Sequence, residues 1–323
     1  MAEETLLTSA NSGDIGALML KSALRELEQF FRDPEVVEIM LNPDRHLWIE
    51  KLGQQCQDTG IVINEEDSTR FIKLVASYCK TIITDERPII SAELPYLKSR
   101  FEALMPPIVD SPVFSIRQPA TKIFRLDDYV RDKIMTPLQT EIIRKAVADK
   151  QNILFVGGTG TGKTTATNAV LDVIADTGDR IVILQDTKEL KCSAPNVVFL
   201  RTSDFVDMNR LLKSTMRLRP DRIVVGEVRD AAALTLLKAW NTGHPGGIST
   251  IHANSAYGGL LRLEQLIQEA VPTPQEALIG DAVDLIIYLE RCYNSEQKKY
   301  GRIVKEMAYI NGFSDGKYNI EYI

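Results

Sequence analysis

Residues 157–164 read GGTGTGKT and fit the pattern G-x-x-x-x-G-K-[ST] in full. Glycines let the backbone curl until successive N–H groups face one point, and a helix that starts there adds partial positive charge. Such a loop holds the phosphates of a nucleoside triphosphate. The binding stretch runs Gly157, Gly158, Thr159, Gly160, Thr161, Gly162, Lys163, Thr164 and Thr165. Lys163 would reach the β- and γ-phosphates, and Thr164 would offer its hydroxyl to Mg²⁺. The competing reading is a chance Gly/Thr loop that turns a strand into a helix.

Three further segments carry groups for the same chemistry. In DRIVVGEVRD (221–230) a buried run ends in Gly226, where an aspartate often helps to hold magnesium, and Glu227 follows directly. A carboxylate there can orient or deprotonate the water that attacks a γ-phosphate. In ILQDTKEL (183–190), Asp186 and Glu189 fall at the expected end of another strand, where open α/β sheets place ligands. They read equally as the solvated start of a helix. In TGHPGGISTIHAN (242–254) stand His244 and His252, two of only three histidines in the chain. Either could hydrogen-bond a phosphate or an acid across the site, or both could be polar loop residues around a buried strand. Zinc is not expected, since no third ligand has suitable spacing and the four cysteines are scattered.

Positioning these groups requires a sheet flanked by helices. NILFV (152–156), IVIL (181–184), NVVFL (196–200), RIVV (222–225) and ISTI (248–251) read as strands, with helices expected at about 205–217 and 230–241. Their alternation predicts a parallel sheet. Thr136-Pro137, with Gln139 behind it, predicts a capped helix start. The tail segments DLIIYLE, RIVKEMAYI and KYNIEYI read as edge strands. The first half is α+β in flavour: a helix from Leu20 through Ala23, Leu24, Leu27 and Phe31, then two strands around Asn42-Pro43-Asp44. A helix over about 65–82 should bury Phe71, Ile72, Val75, Cys79 and Ile82. RFEALM (100–105) and VFSIRQ (113–118) follow as strands. The expected organisation is a frayed 1–16, an α+β domain over 17–118, a charged connection at 119–135 and an α/β domain over 136–323.

Composition excludes little else. Apolar residues make up 44 % and charged ones 25 %, as in ordinary globular chains. A net charge of −6 gives no global reason to expect nucleic acid. The amino terminus is acidic and polar, unlike a secretory signal, and no apolar run approaches the ~18 residues that span a bilayer.

Taken in order, GGTGTGKT, QDTKEL, VVGEVRD and GHPGGISTIHAN resemble the P-loop, Asp box, Gly-Glu-ended Walker B and His box of the secretion-superfamily ATPases of type II and type IV systems. The resemblance covers most of residues 137–270, and the layout is most like the conjugal-transfer (TrbB-type) branch; pilus retraction motors are similar too. It implies an α/β fold with a RecA-like, mostly parallel P-loop domain behind a smaller PAS-like α+β domain. It also implies a homohexamer that hydrolyses ATP with Mg²⁺ and works with inner-membrane components of a conjugation or secretion machine. The location implied is cytoplasmic and peripheral at the inner membrane; no direct nucleic-acid binding is evident from the sequence. RFEALMPPIVDSPVFSIRQP resembles the segment that sends arginines to the nucleotide, so Arg100 and Arg117 would touch phosphates; locally they read as solvated strand residues. The implied catalytic set is Glu227, Glu189, Arg100, Arg117 and His252, with His244 less surely linked to the γ-phosphate and Thr164 as the metal ligand. The family's Asp box usually opens Glu-Asp, whereas this chain has Gln185-Asp186. A DNA-translocating helicase-like ATPase and a non-hydrolysing nucleotide-gated scaffold are the rival readings.

Overall fold

The computed structural model describes residues 25–94, 97–119, 124–203, 205–294 and 299–323. The stretch expected to fray (1–16) and the opening of the Leu20 helix lie outside them. Contacts divide the chain into two units, Met1–Thr121 and Lys122–Ile323.

The first unit holds β1 (Val36–Leu41), β2 (His46–Lys51), β3 (Gln57–Val62), β4 (Ile89–Glu93), β5 (Arg100–Leu104) and β6 (Val113–Arg117) in one sheet of order β3-β2-β1-β6-β5-β4. Every pairing is antiparallel. Alternation in these strands turns Ile39, Leu41, Phe101, Ala103, Phe114 and Ile116 toward the core. The helix Glu65–Tyr78 covers them, with Phe71 edge-on to Phe101 and Phe114 at 5.5 and 5.3 Å. Asn64 caps it by accepting the Asp67 N–H at 2.8 Å. The helix ends earlier than its periodicity suggested: Lys80 takes φ 55°, so Ile82 leaves the apolar stripe and is 69 % exposed.

In the second unit, β7 (Ile153–Gly157), β8 (Ile181–Gln185), β9 (Val197–Arg201), β10 (Arg222–Val225), β11 (Ile248–Ile251), β12 (Leu285–Asn294), β13 (Lys299–Ser314) and β14 (Lys317–Tyr322) form a sheet of order β14-β13-β12-β7-β11-β10-β8-β9. Pairs from β12 to β9 are parallel, while β13 and β14 are added antiparallel. DLIIYLE is therefore not an edge strand: β12 sits between β7 and β13, and its Leu285, Ile286 and Ile287 are fully buried. The stretch expected as a charged connection carries the helix Leu126–Arg131, whose Leu126 and Tyr129 join the core of this unit. Thr136 and Gln139 make the reciprocal capping bonds at the start of the helix Pro137–Ala148. Among the described residues no helix is long and apolar enough to cross a membrane.

One buried ion cluster pins the amino ends of these strands. The Arg222 side chain is 2 % exposed; Nε donates to Asp179 Oδ2 at 2.6 Å, while Nη1 and Nη2 donate to Gly246 O and Val147 O. Burial alone would raise the Asp179 pKa, but hydrogen bonds from Lys150 and Arg222 outweigh it and hold the carboxyl below its usual range. A depressed carboxyl stabilises the fold above its unfolded pKa, and that contribution is lost as pH falls through the folded value. Asp179→Ala strands a buried guanidinium, and a loss of about 3–5 kcal/mol is expected in urea unfolding at pH 7. The Asp179→Ala/Arg222→Met pair should recover most of it; an unchanged midpoint in Asp179→Ala would count against the cluster.

Candidate active site

All the parallel strands end on one edge, so Gly157, Gln185, Val225 and Ile251 deliver their following residues to the same place. The loop begins where β7 ends. A side chain at Gly157 would meet Thr161 Oγ1 at 2.5 Å and Leu289 O at 2.6 Å, so only glycine fits there. Gly162 takes φ 93°, a left-handed turn that reverses the chain into the helix Lys163–Ala175. The first-turn N–H groups of that helix lack intrahelical partners and carry no acidic side chain beside them.

Lys163 folds back over this loop. Its Nζ donates to Gly157 O at 2.8 Å and to Gly158 O at 2.9 Å, and it lies 3.4 Å from His252 Nδ1. Burial lowers its pKa to about 8; the nearby Glu227 opposes the shift and Arg229 adds to it. Thr161 Oγ1 donates to Gly158 O at 3.0 Å, and Thr164 and Thr165 stand half-buried in the first turn. Thr159 sits at the exposed tip.

Glu227 follows β10 on a turn clamped from both sides. Gly226 N–H donates to Leu184 O, Val228 N–H to Thr250 O, and Thr250 Oγ1 to Gly226 O at 2.8 Å. The Glu227 carboxylate lies 3.0 Å from His252 Nε2 through one oxygen and accepts from Arg229 Nη2 at 2.7 Å through the other. Burial pushes its pKa up, yet Arg229, His252 and Lys163 together hold it below the usual carboxylate range. Burial, then Lys163, lower the His252 pKa. A neutral imidazole that donates from Nε2 to Glu227 presents Nδ1 as acceptor to Lys163. Lys163, His252 and Glu227 thus form one continuous chain of polar contacts.

Gln185 is 5 % exposed, and its Oε1 accepts from Glu189 N–H at 3.0 Å and Leu190 N–H at 2.9 Å. A neutral amide therefore pins the turn after β8 without burying a charge. Asn168 ties the same turn to the phosphate-loop helix by donating to Glu189 O and accepting from Lys191 N–H. Asp186 accepts from Thr202 Oγ1 at 2.9 Å and lies 3.7 Å from Arg229. A Cβ at Gly226 would stand 3.4 Å from that of Gln185, so the glycine before Glu227 and the pinning amide are neighbours.

One expectation comes out differently. His244 does not reach this edge: it precedes β11, and its Nδ1 lies 3.0 Å from Pro220 O, beside the amino end of β10. Arg100 and Arg117 belong to the first unit, where the register sets Glu50, Glu38, Arg117, Arg100 and Glu93 in one row across five strands. Arg117 donates from Nη2 and Nε to one oxygen of Glu38, Oε2, at 3.0 and 3.2 Å, while Ser115 Oγ donates to the other at 2.6 Å. Two residues at this edge carry no sequence signal of a role there: Arg229, two residues past Glu227, and Arg302, whose Nε donates to Gly160 O at 3.1 Å. Nothing local in the sequence marks that contact.

A parallel sheet core whose carboxyl edge gathers a glycine loop, a buried lysine, a histidine and a carboxylate makes this an α/β protein. Residues 78–316 match the family described as type II/IV secretion system protein, and the chain belongs to that family. It is 52 % identical over 292 residues to the conjugal transfer protein TrbB of Rhizobium radiobacter, covering 90 % of this chain and 88 % of that one. It is 30 % identical over 320 residues to the type IV secretion system protein VirB11 of Bartonella henselae, covering 85 % and 89 %. Its fold is similar to the X-ray structure of the Yersinia pseudotuberculosis ATPase DotB, with a TM-score of 0.63, 18 % identity and coverage of 93 % and 80 %.

Proposed function

We propose that this protein hydrolyses ATP to ADP and phosphate and works as a hexameric motor subunit that powers conjugative DNA transfer by a type IV secretion machine. The observation that carries the reading is the Lys163–His252–Glu227 chain at the mouth of the glycine loop. The TrbB relative favours transfer over pilus retraction.

In this scheme the triphosphate lies on residues 157–165, with Lys163 leaving the loop carbonyls for the β- and γ-phosphates. Glu227 orients the attacking water and takes its proton as the bond to the γ-phosphorus forms and the bond to the β-phosphate oxygen breaks. A carboxylate held below its usual range is a weaker base, so orienting the water adds to what proton transfer supplies. His252 couples the γ-phosphate end of Lys163 to Glu227, and Glu189, on a turn fixed by Gln185, would support the water around a bound Mg²⁺.

Magnesium fits as a guest of the nucleotide. Among the described residues no three His, Cys, Asp or Glu side chains cluster to hold a metal, so phosphates and water would fill most positions beside Thr164 Oγ1. Bound there, the ion would neutralise charge on the phosphate oxygens. Arg100 and Arg117, of a PAS-like first domain, would compensate the same charge as arginine fingers do, beside the nucleotide on a RecA-like second domain. Assembly with inner-membrane components and a cytoplasmic, peripheral location complete the proposal.

The test is ATPase activity measured against oligomeric state, with and without nucleotide. Turnover that rises with a six-fold species is expected. Turnover absent from every species would leave a nucleotide-gated scaffold, and activity that requires added DNA at moderate salt would favour the helicase-like reading.

A further inference from the structure

β12 pairs with β7 until Leu289 stands opposite Gly157, then runs on to Asn294. The β12–β13 hairpin therefore overhangs the end of β7 by roughly 16 Å, at about 3.3 Å per residue, and passes beside the phosphate loop. Arg302 of β13 lies on that overhang, directly across from Arg291. Its Nε donates to Gly160 O at 3.1 Å, and its Cδ would be 3.0 Å from a Cβ at Gly162. The Arg291 guanidinium stacks on Tyr300 at 4.5 Å, with Nη1 3.9 Å from a Cβ position at Gly160. Both left-handed glycines of the loop are thus backed by arginine from a strand far along the chain.

The peptide plane turns this contact into a consequence for ligand binding. A trans peptide points its C=O and the following N–H in opposite directions. A guanidinium that holds Gly160 O on the outer side of the loop must direct the Thr161 N–H toward the inner side, where a phosphate would lie. Gly160, at φ 73° and without a side chain, has little else to fix that plane. We propose that Arg302 is a positioning residue for the phosphate site: by holding Gly160 O it keeps the loop in its anion-binding form before ligand arrives. This rests on the proposed ATP site and adds a partner to it.

Arg302→Ala is tested in the full chain by titration with a fluorescent ATP analogue, by steady-state turnover and by thermal melting without ligand. The dissociation constant and KM are expected to rise about tenfold, as for loss of a hydrogen bond from a charged donor, with kcat changed less than twofold. Arg302→Lys should regain part of the affinity, and the ligand-free melting temperature should stay at the wild-type value. Wild-type affinity in Arg302→Ala overturns the inference while leaving the ATP site standing. A lower ligand-free melting temperature with unaltered affinity also overturns it and makes the contact merely structural. Failure of the wild-type protein to bind the analogue removes the site and the inference together.

Discussion

Glu227→Gln is expected to lower ATP turnover by about two to four orders of magnitude, the range for loss of a positioned general base. The dissociation constant for ATP should stay within about threefold of wild type, since the lost interaction acts in the transition state. The amide is nearly isosteric: its one oxygen can still accept from Arg229 while its NH2 donates to His252 in the other tautomer, so the clamped turn of Gly226 and Val228 should hold. What changes is charge: an amide can neither take a proton from water nor attract its hydrogens as strongly. The pH profile separates this role from simple architecture. Arg229, His252 and Lys163 hold the Glu227 carboxyl low against the effect of burial, so it stays ionised as pH falls through the ordinary carboxylate range near ~4.3. Wild-type turnover should therefore show no acid limb from Glu227 above that range. Turnover at the wild-type rate in Glu227→Gln would take this residue out of the chemistry.

The loop and the strands that serve it were legible because β7, β8, β10 and β11 are buried throughout, and such strands read as unbroken apolar runs. The same property should have moved DLIIYLE inward, but its partner β7 lies 132 residues back, between Asn152 and Asp284, and no local pattern reports that pairing. β3 and β4 escaped notice since much of each is exposed and offers little apolar signal. The identity of Gln185 was plain in the sequence. Its effect depends on two backbone N–H groups of a turn that has no signature of its own. His244 and His252 were grouped by proximity, yet β11 lies between them. A strand carries the residues at its two ends to opposite edges of a sheet, so topology alone separates the pair. For Arg302 the contact spans 142 residues and depends on how far a hairpin overhangs, which spacing cannot show.

Lys163→Ala is expected to weaken ATP binding by at least about a hundredfold and to reduce turnover to background, because it removes the one charge seated inside the loop. The effect should exceed simple loss of a charge. Lys163 Nζ is the donor to Gly157 O and Gly158 O, and without it these carbonyls have reason to turn, taking the neighbouring N–H groups out of line. Binding should also depend on pH in a defined direction. With a pKa lowered to about 8 by burial, the free site is roughly nine-tenths protonated at pH 7 and mostly neutral by pH 9. A bound triphosphate stabilises the ammonium, so binding takes up a proton and affinity falls as pH rises through about 8. In Lys163→Ala this dependence should vanish along with most of the affinity. The ligand-free fold is a different matter: a buried ammonium costs desolvation energy, so the variant should melt at or above the wild-type temperature. Isothermal titration in two buffers of different ionisation enthalpy reads the proton uptake directly. Equal affinity in wild type and Lys163→Ala, or affinity that rises from pH 7 to pH 9, would mean that the phosphates do not meet this lysine.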